Sequence, residues 1–98
     1  SGYIESKLYD LQQESNCVVK SIDIEDISNI NDIELYIRAS RDNERLDVWT
    51  NWNRIYLTDS LQIANYISFT NTRFLQYKIL VKNRSGYIKF KSIDVEIK

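Results

Sequence analysis

Apolar and polar residues alternate along most of this chain with a period of two, the spacing at which successive side chains leave opposite faces of an extended backbone. The alternation predicts strands. Residues 33–40 place Ile33, Leu35, Ile37 and Ala39 on one face, as a half-buried strand requires. In residues 73–82, Leu75, Tyr77, Ile79 and Val81 point one way and Phe74, Gln76, Lys78 and Leu80 the other, so neither face is wholly polar. Further strands are predicted over residues 3–11 (Ile4, Leu8), 17–27 (Val18, Ile22, Ile24), 54–57 and 62–69 (Ile63, Ile67, Phe69). Residues 87–97 change phase, from Ile88 and Phe90 to Ile93, Val95 and Ile97, which predicts a bulge or bend near Lys91 and Ser92.

Turn-forming residues cluster at 13–16, 28–32, 41–43, 71–72 and 83–86. Asp59 and Ser60 are capable helix caps, so a helical turn is expected within 59–65, too short to organise a fold. About seven or eight strands, turns at short intervals and a preponderance of Ile, Val, Tyr, Phe and Trp predict an all-β fold, an antiparallel β-sandwich of jelly-roll or immunoglobulin kind.

Composition narrows the function. Ninety-eight residues make one domain. Ser1-Gly2, without an initiator Met, reads as a cloning remnant, leaving residues 3–98 as a single β-sandwich domain cut from a longer protein. The 13 basic and 14 acidic residues nearly cancel, removing the bulk attraction behind most nucleic-acid binding, so no nucleic-acid partner is expected. No apolar run approaches the ~20 residues that cross a bilayer, and no membrane insertion is expected. Cys17 is the only cysteine and there is no His, which removes internal disulfides and the usual zinc and haem ligand sets. Cys17 opens an apolar strand without an activating partner and reads as buried and inert, so catalysis is not expected. No cofactor is expected; Asp23, Glu25, Asp26, Asn29, Asn31 and Asp32 form an oxygen-rich group that suits calcium chemically but lacks EF-hand spacing and reads better as a solvated acidic loop.

The order of segments resembles the galactose-binding-like (discoidin-like) jelly-roll modules found in tail and baseplate proteins of phages and related tail-like particles. The matching segments are Gly2-Tyr3-Ile4-Glu5-Ser6 with Asp10-Leu11, Val19-Lys20-Ser21-Ile22, Arg38-Ala39-Ser40, the pair Trp49 and Trp52, Phe74-Leu75-Gln76-Tyr77, and Ser92-Ile93-Asp94-Val95-Glu96-Ile97. The resemblance covers nearly the whole chain and implies a non-catalytic module, which in that family binds glycans in some cases and is a rigid structural unit in others. The expected function is thus an accessory or binding module of a phage or prophage tail (baseplate or fibre) protein contacting host-surface carbohydrate, with other domains or subunits of the assembly as partners and a virion tail or extracellular tail-like particle as its location. The alternative is a carbohydrate-binding module of a secreted bacterial glycosidase or adhesin.

The candidate site lies between the third and fourth predicted strands. Trp49, Trp52 and Tyr56 make a stacking platform for the C–H face of a sugar if exposed together, with Arg41, Asn51 and Asn53 supplying hydrogen bonds to hydroxyl groups. The competing reading has the indoles cap the end of a sandwich. Arg38 and Arg73 are a second candidate, a basic pair for a carboxylate, again against a structural pairing. Tyr3, Tyr9, Tyr36, Phe74 and Tyr87 fall on nominally polar faces and suit a subunit contact.

Overall fold

In a computed structural model, the structure describes residues 2–5, 8–25, 30–82 and 89–98, with residues 2–5 and 89–90 described by backbone alone. The all-β class is observed. Among the described residues six strands, β1 (Gly2–Glu5), β2 (Tyr9–Glu25), β3 (Ile33–Ser40), β4 (Asn53–Ile55), β5 (Ser68–Val81) and β6 (Lys89–Ile97), join one open antiparallel sheet of order β4-β3-β5-β2-β6, with β1 also paired to β5.

β3 and β5 form the centre. They pair without a shift over eight residues, from Ile33 opposite Val81 to Ser40 opposite Phe74. On the inner face, Ile33, Leu35, Ile37, Ala39, Leu75 and Ile79 are all buried, as the alternation predicts. Each fully buried Ile or Leu side chain here contributes about 1.5–3 kcal/mol. Ile24, near the far end of β2, lies in the same apolar cluster, with Ile22, Ile93 and Val95 packed against it. A flat sheet would hold Ile24 far from Ile33, so the β2–β6 ribbon curls back over the inner face.

Bulges make that curl. Val19 faces Val95 but Ser21 faces Asp94, so Lys20 is an extra residue in β2. The inward phase consequently passes from Cys17 and Val19 to Ile22 and Ile24. On β6, Ser92 faces Asp23 and Phe90 faces Ile24, leaving Lys91 unmatched where the change of phase predicts a bulge.

Two expected turns are instead irregularities inside long strands. The 13–16 cluster lies within β2 and the 71–72 cluster within β5, where the register shifts twice around Ser15. Gln12 (φ 73°) and Asn71 (φ 48°) take the left-handed conformation, and Asn16 Oδ1 accepts the Asn71 backbone N–H at 3.1 Å. Turn-forming residues supply this geometry. They bend the ribbon here because the partner strand bends at the same level and keeps the ladder on both sides.

The other differences are local. Residues 62–67 are irregular apart from one bridge, Leu57 to Ile63, so of the predicted 62–69 strand only Ser68 and Phe69 join β5. The expected helical turn at 59–65 is a tight turn with Leu61 left-handed (φ 63°), closed by the Leu61 N–H on the Thr58 carbonyl at 2.9 Å. The predicted 3–11 strand is divided between β1 and β2, and the 83–86 turn lies outside the described residues, as do positions 26–29.

Because Asn71 sits at positive φ, Asn71→Gly is expected to keep stability within about 1 kcal/mol, whereas a β-branched Asn71→Val costs about 1–2 kcal/mol, as the left-handed penalty implies. Urea unfolding of both variants measures this; equal stability would show that the bulge does not hold the strand in place.

Candidate functional site

The outer face of the sheet, opposite the core, carries the chemistry. Strand alternation puts Glu34, Tyr36 and Arg38 of β3, Arg54 of β4, and Gln76, Lys78 and Leu80 of β5 on this side, with Tyr36 opposite both Arg54 and Lys78 and Arg38 opposite Gln76. The segment 41–52 folds back beside it. Its base is fixed to β3 by the Thr50 N–H on the Ala39 carbonyl (2.8 Å) and by Thr50 Oγ1, which accepts the Ala39 N–H at 3.0 Å. At its start the Ser40 hydroxyl donates to the Asp42 carbonyl (2.7 Å), and a 3₁₀ turn, Leu46–Val48, leads into Trp49.

Both tryptophans therefore arrive over the outer face. Neither joins the core cluster and both are half-buried. Their faces meet the Arg38 guanidinium, whose Cζ lies 4.6 Å from the Trp49 ring centre and 4.5 Å from that of Trp52. The contacts continue across the face. Lys78 Nζ is 4.5 Å from the Trp52 ring and 5.2 Å from Tyr36, and Arg54 Cζ is 5.8 Å from Tyr36 and 4.8 Å from Tyr56. Rings and cations thus alternate from Trp49 to Tyr56, each contact contributing about 0.5–1 kcal/mol where exposed.

Hydrogen bonds fix the charged members. Arg38 donates through Nε (3.0 Å) and Nη2 (2.7 Å) to Gln76 Oε1, holding the guanidinium between the indoles. Glu34 accepts from the Tyr36 hydroxyl and pairs with Arg54 Nη1 (3.0 Å) and Lys82 Nζ (2.9 Å). These donors, the Tyr36 hydroxyl first, hold the Glu34 carboxyl below its ordinary range, and the same bond pushes the Tyr36 phenol up. Arg54 Nε is enclosed with no hydrogen-bond partner among the described residues, a cost of about 1–3 kcal/mol, so the side chain is positioned at the expense of one donor.

The free side of β4 is finished by one side chain. Asn65 donates from Nδ2 to the Arg54 carbonyl (2.9 Å) and accepts the Tyr56 N–H at Oδ1 (2.6 Å), taking the place of a further strand. Tyr56 is 53% exposed, so the outermost ring stands open to a ligand. A cleft of about 80 Å³ between Ile30, Ile33, Leu57 and Tyr56 adjoins it. It is smaller than the roughly 150 Å³ cavity that admits benzene, so a sugar ring would have to lie on the open face.

Of the predicted site residues, Trp49 and Trp52 meet on Arg38, whereas Tyr56 stands at the other end of the row, on Arg54. Asn53 is on the side of Ile55 and bonds through Nδ2 to the Asn51 carbonyl at 3.0 Å, while Arg41 is exposed at the start of the loop. These three polar residues are not interleaved with the rings. Arg73 is held by Asp10 (2.9 and 3.1 Å), so Arg38 and Arg73 form no joint carboxylate site. Sequence reasoning missed Glu34, Arg54, Gln76 and Lys78; the signal was a tyrosine and charged residues sharing one period-two face of 33–40 and 73–82.

The remaining candidates fall elsewhere. Tyr9 packs against Tyr77, their ring centres 5.9 Å apart, and burial pushes the Tyr77 phenol up to about 12. Phe74 lies under Arg73, with 5.2 Å between Cζ and the ring centre, while the side chains of Tyr3 and Tyr87 are outside the described residues. Cys17 is buried, which pushes its thiol up. Glu25 pairs with Lys91, Asp26 and Asn29 lie outside the described residues, and no group of three or more acidic or cysteine side chains is arranged for a metal among those described. No protein family, curated protein or solved structure matches the chain.

The depressed Glu34 pKa gives a pH dependence of definite sign. A carboxylate held below its ordinary range adds stability above that range, and the contribution is lost as the pH falls through the lowered value. Thermal melts between pH 7 and pH 2 should therefore show Glu34→Gln less stable than wild type near neutrality, with the gap closing below about pH 4, the ordinary carboxylate range. A constant gap would remove Glu34 as the coupling group.

Proposed function

We propose that this chain is a non-catalytic binding module, of the galactose-binding-like jelly-roll kind carried by phage or prophage tail proteins, and that it contacts host-surface carbohydrate with the outer face of β3, β4 and β5. The curled antiparallel sheet is compatible with that kind of module. One observation carries the binding assignment. Trp49 and Trp52 on Arg38, and Tyr56 on Arg54, stand outside the core cluster in one row, so large rings are committed to a surface that the fold does not need for its apolar interior.

Aromatic edges and faces suit sugar C–H groups, and the neighbouring Arg and Lys donors suit ring hydroxyls. The cations between the rings modify the original platform. A sugar would meet a mixed surface of indole, guanidinium and phenol, with Tyr56 as the most open ring. The virion tail or an extracellular tail-like particle is the location this function implies, with neighbouring tail subunits as further partners. Catalysis has no part in the proposal: the chain has no His, and its one thiol is enclosed.

Trp52→Ala tests the assignment. Losing its contacts to Arg38 and Lys78 should lower stability by about 1–2 kcal/mol and leave the domain folded. Binding to a glycan array should fall about tenfold or more, the loss expected when a central interface aromatic is truncated. Unchanged binding, or unfolding of the variant at room temperature, would reassign the indole to a structural role.

A further inference from the structure

Resting on the glycan-binding reading, we infer that the ligand contains an N-acetylated hexosamine whose acetamido group enters the cleft beside Tyr56. The cleft forms where two strands part. β3 and β4 pair only from Leu35 opposite Ile55 to Ile37 opposite Asn53, which leaves Ile33 on one side and Leu57 on the other without each other. Ile30 and Asn31, of the 3₁₀ turn Ile30–Asp32, complete the lining. Both walls are held from behind: the Lys82 N–H donates to the Asp32 carbonyl at 2.6 Å, and Leu57 bridges Ile63. The cleft is thus built into the fold before any ligand arrives.

Size and lining together select the occupant. The cleft measures about 80 Å³ and a water takes roughly 30 Å³ of the liquid, so there is room for two or three groups of that size. A methyl with its carbonyl fits, and a pyranose ring does not. Ile30, Ile33, Leu35, Ile55 and Leu57 give the cleft an apolar interior, and Arg54 stands in the lining with them. Arg54 Nη1 is held by Glu34 at 3.0 Å and Nε is enclosed, whereas Nη2 has no hydrogen bond among the described residues and is the donor left for an acceptor. Tyr56 lines the same cleft and is exposed, so a pyranose can stack on its ring while a substituent drops in. Arg54 Cζ lies 4.8 Å from that ring, which brings apolar interior, donor and stacking face to one place.

An acetamido group carries both halves of what this place offers, a methyl for the isoleucines and a carbonyl for the guanidinium. A plain hydroxyl has no apolar part to bury, and the methyl of a 6-deoxy sugar comes without an acceptor. A free amine would set a second positive charge beside Arg54. The N-acetylated residue therefore lies at the Tyr56 end of the row of rings, and the rest of the glycan runs toward Trp52.

An array of N-acetylated, 6-deoxy and unsubstituted hexose glycans tests the inference, followed by calorimetric titration of the best N-acetylated binder, its N-formyl analogue and its deacetylated amine. N-acetylated glycans should predominate. The N-formyl analogue, which keeps the carbonyl and loses the methyl, should bind about tenfold more weakly, the loss expected for one group missing from an apolar pocket, and the amine more weakly again. Ile30→Phe, at a half-buried position outside the core cluster, should fill the cleft and bring N-acetylated and unsubstituted glycans to equal binding, with a thermal melt to show that the variant is folded. Arg54→Lys, which keeps the charge opposite Glu34 and loses Nη2, should reduce the same preference by a second route. Equal binding of N-acetylated and unsubstituted glycans by the wild type, predominance of 6-deoxy sugars, or an unchanged preference in either folded variant would overturn the cleft assignment and leave carbohydrate binding standing. Retention of no glycan would overturn both.

Discussion

The unshifted pairing of β3 with β5 is the constraint on which both faces of the molecule depend. One parity of its two strands supplies Ile33, Leu35, Ile37, Leu75 and Ile79 to the core, and the other supplies Tyr36, Arg38, Gln76 and Lys78 to the outer surface. A slip of one residue would exchange the sets, burying two cations and exposing the aliphatic cluster. The burial that stabilises the sheet therefore also fixes the register in which Arg38 meets Gln76 and Lys78 meets Tyr36. Outer surface and core are two readings of one alignment.

What the centre leaves undone, the ends supply by local chemistry. The sheet is open, so its long ribbon must bend to cover the inner face, and it does so through Lys20, Lys91 and the facing irregularities near Ser15 and Asn71. At the opposite edge, the three-residue β4 is too short to hold a loop by strand pairing alone. Thr50 fastens the tryptophan segment to Ala39, and Asn65 closes the other side of β4 beneath Tyr56. Small polar side chains thus set the positions of the large rings. The rings in turn hold the cations: Arg38 is fixed by two indole faces and one amide oxygen, leaving its edge as the chemically distinctive part of the surface.

Much of this was legible in the chain. Period-two alternation identified β3 to the residue, the inward set of β5 and the bulge on β6, because a half-buried strand writes its geometry directly into residue type. The clusters at 13–16 and 71–72 were misleading for a physical reason. Asn, Ser and Gln favour left-handed and irregular backbone in a bulge as much as in a chain reversal, and only the partner strand decides which is formed. The site was half legible. Trp49, Trp52 and Tyr56 stood out as large rings in a polar segment, but their cations come from β3, β4 and β5, and strand pairing alone brings those together. Arg73 looked equivalent to Arg38 in sequence and is separated from it by Asp10, which claims its fork.

Arg38 is clamped between Trp49 and Trp52 on the side of the sheet away from the core. The ring currents of the two indoles make this directly visible by NMR in the free protein. Arg38 side-chain protons should be shifted strongly upfield, with cross-relaxation to both indole rings and a distinct, slowly exchanging Nε–H held on Gln76. Random-coil shifts for the Arg38 side chain, with cross-relaxation from either indole to Leu35 or Ile37 instead, would contradict it.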